Sequence, residues 1–402
     1  MKSLHLFSVR LACLLSCLLL SFSAIGLGCS DGSTTGPQSS TCKLVEEGFG
    51  DLGKVRVKAE TVVSGLKVPW SFAFLPNGWL LITEREGKLR LAIDGKLSKD
   101  PVLKIDIGPT NEGGLLGLAL HPKFDLQTNP LIYLYYTVEK GSKSVNQVAI
   151  YRLASDAKTA KLEKVILDDI PASQFHNGGR ITFGPDGNLY IGTGDARVPD
   201  LSQDKSSLAG KLLRIRPDGT IPDDNPFPNS PVFVLGLRNT QGFVWKDPSN
   251  LWITDHGPSG DLGRRGHDEI SYAQAGSNLG WPTVYGCQTQ DGFVSPSLTW
   301  KTAVPPGGAA IYTGDKIPEW KGSVIIGSLG ARHLHVVQFK ADNPNQIEKH
   351  EVYFDQEPPT GLGRIRDVQM GADGHLYATT SNCDGRGSCG SDKDKIVRIL
   401  PE

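Results

Sequence analysis

Phe175-His176-Asn177-Gly178-Gly179-Arg180 stands directly before an alternating apolar segment, and Gly192-Thr193-Gly194-Asp195 directly after it. A histidine and an aspartate returned to the same end of one hairpin can form a general base with its orienting carboxylate. By itself the pair is a weak signal, since a histidine before two glycines is more often a turn residue. Arg238-Asn239 and the tetrapeptide Asp255-His256-Gly257-Pro258 flank a second such hairpin. An arginine beside an asparagine suits an anionic or quinoid ligand, and backbone carbonyls in a tight Gly-Pro turn suit a hard cation such as calcium. The bland reading of Gly257-Pro258 is a turn. Arg364-Ile365-Arg366 puts two guanidinium groups on one face of a strand, because side chains alternate with period two. Two planar forks on one face match two carboxylates of a ligand, against a solvated salt-bridge face as the alternative.

All of these residues sit at the ends of one recurring unit. A short alternating strand, a turn of Pro, Asn, Asp or Gly, and a second strand recur around Asn77, Pro122, Asp186, Pro248, Lys321 and Asp373, with successive gaps of 45, 64, 62, 73 and 52 residues. Further alternating segments at 147–153, 211–216, 333–339 and 395–400 supply outer strands. No stretch carries a helical period over three turns. The repeat predicts an all-β, six-bladed β-propeller over residues 55–402, with a β-sandwich carrying insertions as the structural alternative. Radial closure leaves a central channel whose mouth is built by loops, where a ligand would sit.

Composition agrees with that class. Gly and Pro make up 73 of 402 residues, about 18% against the roughly 12% of average usage, which favours strands and turns. With 42 Lys plus Arg, 43 Asp plus Glu and a net charge of -1, nucleic acid is not an expected partner. Lys2 and Arg10 precede an apolar run from Leu11 to Leu27, the charged and apolar parts of an export signal over residues 1–28. Small residues lead to Cys29, and a Ser/Thr/Gly/Pro stretch follows, so residues 29–54 read as a flexible tether. The pattern is that of a bacterial lipoprotein lipidated at Cys29, located in the periplasm or cell envelope and touching the membrane only through its lipid; cleavage and release is the alternative. Four cysteines then remain in an oxidising compartment. Cys383 and Cys389, six apart in a Gly-rich loop, are expected to pair, which leaves Cys42 with Cys287.

Taken together, the segments Glu112–Pro122, His176–Arg180, Gly194–Asp195, Leu235–Asn239, Gln241–Gly242, His256–Pro258, Asp268–Ile270, Asn278–Pro282 and Arg364–Asp367 resemble the soluble quinoprotein sugar dehydrogenases. That family comprises glucose, aldose and sorbosone dehydrogenases that use pyrroloquinoline quinone (PQQ). The resemblance runs from about residue 60 to 400 and implies a six-bladed propeller. It implies that His176 is the base for the sugar C1 hydroxyl, that Asp195 orients it, and that Arg238 stabilises charge on the quinone oxygens. Glu112, Asn239, Arg332, Arg364 and Arg366 would complete the cofactor site, and the carbonyls of Gly257 and Pro258 would hold the active-site calcium. Asp268 and Glu269 match a region that holds a structural calcium in relatives, or else cap a turn. The expected partners are a small sugar and an external electron acceptor. Three positions depart from the glucose-oxidising pattern: Glu112 replaces Gln, Phe175 replaces Asp, and a cofactor Lys is missing, with Arg332 nearby as its substitute. The family resemblance also takes in animal propellers of extracellular recognition, so a non-catalytic carbohydrate- or protein-binding propeller is the alternative function.

Overall fold

The computed structural model describes residues 37–108, 111–356, 358 and 361–402. The expected export signal and Cys29 lie outside them. Six sheets of four or five strands, antiparallel apart from two short N-terminal strands, follow one another along the chain. Their innermost strands are Pro69–Phe74, Leu115–Leu120, Ile181–Phe183, Thr240–Asp247, Pro306–Ile311 and Ile365–Met370, and they begin blades 1 to 6 in order. The hairpins turn where the repeat places them. In blade 1 the Gly78 N–H returns to the Leu75 carbonyl at 2.9 Å while Asn77 Oδ1 accepts from the Trp79 N–H at 3.2 Å. Gly78 holds φ +83° there, a conformation that costs an L side chain but not glycine. The only helical elements among the described residues are three short 3-10 turns.

The ring closes by pairing distant parts of the chain. Strand Val57–Leu66 runs antiparallel to Asp394–Pro401 and becomes the outermost strand of blade 6, with Leu66 opposite Asp394 and Val57 opposite Pro401. That closure gives the last blade its fourth strand and covers the edge of Asp394–Pro401. The core is distributed between facing sheets: Leu116, Tyr133, Ile150, Ile181, Ile191 and Leu213 pack blade 2 on blade 3, and Ile325, Val336, Ile365, Val368 and Val397 pack blade 5 on blade 6. Burial of these alternating faces fixes register, since a slip of one residue would turn each apolar set to the wrong side.

Residues 43–52, read from the sequence as part of a flexible tether, are instead a strap on the propeller. Lys43–Val45 adds a parallel fifth strand to blade 4 beside Leu298–Trp300, and Asp51–Leu52 does the same for blade 5 beside Glu351–Val352. The Cys42–Cys287 disulfide fastens the strap. The Cys383–Cys389 bond is formed as well, and two disulfides point to an oxidising compartment.

Along the axis, Arg180 Nη1 pairs with Asp367 Oδ1 at 3.0 Å, Ser71 Oγ donates to Asp367 Oδ2 at 3.2 Å, and Arg180 Nε donates to the Gln241 carbonyl at 2.9 Å. These residues from blades 1, 3, 4 and 6 cross the channel. A cavity of about 270 Å³ lies at the ends where the inner strands begin, and a wider mouth of about 670 Å³ lies where they finish.

Candidate active site

The loop entering blade 3 carries His176 at φ +59°, a left-handed backbone that non-glycine residues seldom hold and that concentrates at functional positions. The strand leaving the same hairpin brings Asp195 to it, and His176 Nδ1 lies 2.7 Å from Asp195 Oδ1. On the other side of the ring, Arg238 Nη2 lies 2.8 Å from His176 Nε2. A guanidinium only donates, so Nε2 accepts and the proton sits on Nδ1, donated to Asp195. The imidazole lone pair is therefore on Nε2, the nitrogen that meets Arg238. Asp195 is itself immobilised: Oδ1 also accepts the Arg197 N–H at 2.8 Å, and Oδ2 accepts Trp281 Nε1–H at 2.9 Å.

Arg238 and Asn239 are presented by a buried carboxylate. Asp255 accepts the Arg238 N–H at 2.6 Å and the Asn239 N–H at 2.7 Å, and burial pushes its carboxyl up to about 7 against those two hydrogen bonds. The Asn239 side chain accepts from the Gly178 N–H at 2.9 Å and donates to His256 Nδ1 at 3.2 Å. His256 Nε2 then donates to the Pro306 carbonyl at 2.7 Å, and burial pushes this imidazole down to about 3, so it is a neutral structural link. Arg238 Nη2 has a second acceptor in Asp261 Oδ2 at 2.6 Å.

The opposite wall is made of arginines. Alternation places Arg364 and Arg366 on one face, as expected, and Asp384 Oδ2 receives Arg364 Nη2 at 2.7 Å and stands 3.8 Å from Arg366 Nη2. Arg366 also donates to Gln241 Oε1, and burial lowers its pKa to about 9. Five arginines (Arg85, Arg238, Arg364, Arg366 and Arg386) line the cavity against two carboxylates, Glu112 and Asp384. Arg238 Nε and Arg366 Nε are buried with no hydrogen-bond partner. A cavity with excess cationic forks and unsatisfied buried N–H groups fits a ligand bearing several carboxylates.

Residues 66–395 match the family model described as Glucose / Sorbosone dehydrogenase. The chain belongs to the glucose/sorbosone dehydrogenase family. It is 33% identical over 353 residues to an aldose sugar dehydrogenase of Escherichia coli, covering 82% of this chain and 91% of that protein. It is 33% identical over 267 residues to quinoprotein glucose dehydrogenase B of Acinetobacter calcoaceticus, covering 58% and 54% respectively. The PQQ-bound aldose sugar dehydrogenase of Streptomyces coelicolor superposes with a TM-score of 0.75 at 31% identity, covering 87% of this chain and 99% of that one.

Within this family member the expected site residues do not all converge. His176, Arg238, Asn239, Glu112, Arg364 and Arg366 line the cavity, and Asp195 stands directly behind His176. Arg332, expected to replace the missing lysine, is not in the wall; its loop contributes Gly330 and Leu329, whose carbonyl accepts Arg364 Nη1 at 2.9 Å. Arg332 lies two and three residues past these positions, on a backbone that turns at φ +64°. Glu112 does not face the cavity unpaired: Oε1 accepts from Arg386 at 2.8 Å and Oε2 accepts the His176 N–H at 3.2 Å. Burial acts to raise its pKa, but Arg386 and this hydrogen bond hold it below the usual glutamate value.

Gly257 and Pro258 stand between His256 and Ser259, both of which line the cavity. Asp268 caps backbone: it accepts the Gly257 N–H at 3.0 Å and the Val304 N–H at 2.6 Å. Glu269 is buried beside it and lies near Ser271 Oγ at 3.4 Å. Among the described residues no three His, Cys, Asp or Glu side chains converge on one point. Arg85, Asp261, Trp281, Asp384 and Arg386 were not singled out individually from the sequence. Trp281 belongs to a motif quoted for the resemblance, whereas Asp384 and Arg386 carry no signal beyond lying inside the Cys383–Cys389 spacing.

Proposed function

We propose that the protein is a PQQ-dependent dehydrogenase that oxidises the C1 hydroxyl of an aldose, or of a related polyol or aldehyde, and passes the electrons to an external acceptor. The observation that carries this reading is a His-Asp pair whose accepting nitrogen, held by Arg238, stands at the edge of an arginine-lined cavity. PQQ, when bound, supplies a two-electron sink that takes up hydride. Arg364 and Arg366 would hold its carboxylates as charge-assisted pairs. Arg238 would turn from His176 Nε2 toward the developing negative charge, with Asp261 retaining its other hydrogen bond. That movement frees Nε2 to accept the C1 hydroxyl proton, while Asp195 keeps the tautomer and stabilises the imidazolium that forms. Loss of that proton together with the C1 hydrogen as hydride would convert an aldose to its lactone. Calcium is assigned to the Gly257 and Pro258 carbonyls on the chemistry of hard oxygen donors alone.

The export signal, lipidation of Cys29 and residence in the cell envelope belong to the same reading, because an external acceptor and two disulfides suit an oxidising compartment. Apoprotein reconstituted with PQQ and calcium and assayed by dye reduction over a panel of aldoses tests it. Saturable, sugar-dependent reduction that vanishes without PQQ is expected; no reduction with any sugar would overturn the dehydrogenase reading.

A further inference from the structure

The Cys383–Cys389 disulfide closes a loop with a sequence separation of 6, and that loop reaches three parts of the cavity. Asp384, with its side chain 2% exposed, receives Arg364 through Nε at 3.0 Å and Nη2 at 2.7 Å. Burial opposes its charge, but Arg364 and Arg366 keep its carboxyl below the usual aspartate value. Gly387 packs its backbone against the stem of Arg364, since a Cβ there would lie 2.7 Å from Arg364 Cδ. Arg386 crosses to Glu112, whose other oxygen holds the His176 N–H. One short loop thus touches both cofactor-facing arginines and, through Glu112, reaches the backbone of His176.

What holds the loop is uneven. Its stem is fixed, because Asp394 accepts the N–H groups of Asn382 at 2.5 Å and Cys383 at 3.3 Å. Beyond Cys383, residues 385, 386, 388, 389 and 390 are exposed. Asp384 and Arg386 make ion pairs with the cavity wall, and the disulfide returns the far end of the loop to its stem. Cys389 is exposed, so an attacking thiolate can reach it.

We propose that the Cys383–Cys389 disulfide is a redox-operated clamp on the cofactor site, with Asp384 and Arg386 as positioning residues. Oxidised, it presents Arg364 and Arg366 as a preformed pair; reduced, it lets Asp384 and Arg386 withdraw, and the two arginines must be ordered at the moment of binding. Reduction by a dithiol breaks the S–S bond, consumes two electrons and two protons to give two thiols, and converts the dithiol to its own disulfide. The clamp rests on the reading of the cavity as a PQQ site. Ordering two arginine side chains during binding instead of before it predicts a loss of about tenfold in PQQ affinity.

The test is a PQQ titration of apoprotein in three states: oxidised, selectively reduced and freed of reductant, and reoxidised. Mass spectrometry verifies that Cys42–Cys287 stays intact. The expected result is binding about tenfold weaker in the reduced state, restored on reoxidation, with C383S/C389S matching the reduced protein. Should that double variant not fold, the reduction cycle on wild-type protein decides alone, and a thermal melt confirms that the reduced propeller is intact. Affinities within twofold in all three states would overturn the clamp and leave the dehydrogenase reading standing. No PQQ binding even when oxidised would overturn that reading, and the clamp with it.

Discussion

Replacing Asp195 by asparagine keeps the shape of the side chain and changes only what it can accept. Three donors converge on the carboxylate: His176 Nδ1 at 2.7 Å and the Arg197 N–H at 2.8 Å on one oxygen, and Trp281 Nε1–H at 2.9 Å on the other. A carboxamide has one acceptor oxygen, so one side must fail. With the amide oxygen toward His176, the amide nitrogen meets the Trp281 N–H, and a buried donor left unpaired costs about 1–3 kcal/mol. With the amide reversed, its N–H donates to Nδ1, the ring proton moves to Nε2, and the base has no lone pair facing the cavity. The wrong tautomer in a comparable His-Asp dyad costs about 10⁴ in turnover. Asp195→Asn is therefore expected to lose about 10²–10⁴-fold in turnover, with PQQ affinity within threefold of wild type. Dye-linked kinetics on reconstituted protein measures the first and a quinone titration the second. Turnover within threefold of wild type would refute the role given to Asp195.

Arg364→Gln removes a fork from the arginine wall and should weaken PQQ binding by roughly 2 kcal/mol, about 30-fold, in the same titration. Three buried histidines lie under the strap, with His335 Nδ1 2.9 Å from His350 Nε2 and the His333 and His335 rings 4.5 Å apart. Burial pushes His333 down to about 4 and His350 to about 3. Their folded pKa values lie below the ordinary 6.5, so the unfolded chain takes up protons first, and stability should fall as pH drops from about 6.5 toward 4. Urea melts across that window test this, and a flat profile would contradict it. Cys42→Ser frees the strap and should cost on the order of 2–5 kcal/mol in a denaturant melt. Cys29→Ala should move the exported protein from the membrane fraction to the soluble one; an unchanged membrane fraction would argue against lipidation.

The blades were legible because each hairpin repeats the same local physics: apolar alternation, then a turn residue, then alternation again. Arg364 and Arg366 were legible for the same reason, period two being a property of any strand. His176 and Asp195 could be brought together because one hairpin separates them. The strap was not legible, because Lys43–Val45 and Asp51–Leu52 are three and two residues long, too short to carry alternation, and their partners lie some 250 to 300 residues away in blades 4 and 5. Asp384 and Arg386 were hidden by distance as well: Arg386 meets Glu112 at a separation of 274 residues, and nothing in a Gly-rich loop marks which carboxylate will be buried. Arg332 was misplaced because chain proximity to a missing lysine does not fix the direction of a turn.

The central claim is that His176 takes the proton at a site where this chain's arginines hold the quinone, and His176→Asn separates the two roles. Asparagine tolerates the left-handed backbone at φ +59° that the histidine holds, yet it has no basic nitrogen. Single-turnover reduction of bound PQQ by an aldose, followed by absorbance in wild type and variant side by side, is the direct measurement. Wild-type protein should bind PQQ and reduce it with sugar, and the variant should bind it within threefold but reduce it at least about 10²-fold more slowly. A variant that reduces PQQ as fast as wild type, or a wild-type protein that binds no PQQ at micromolar concentration, would contradict the account.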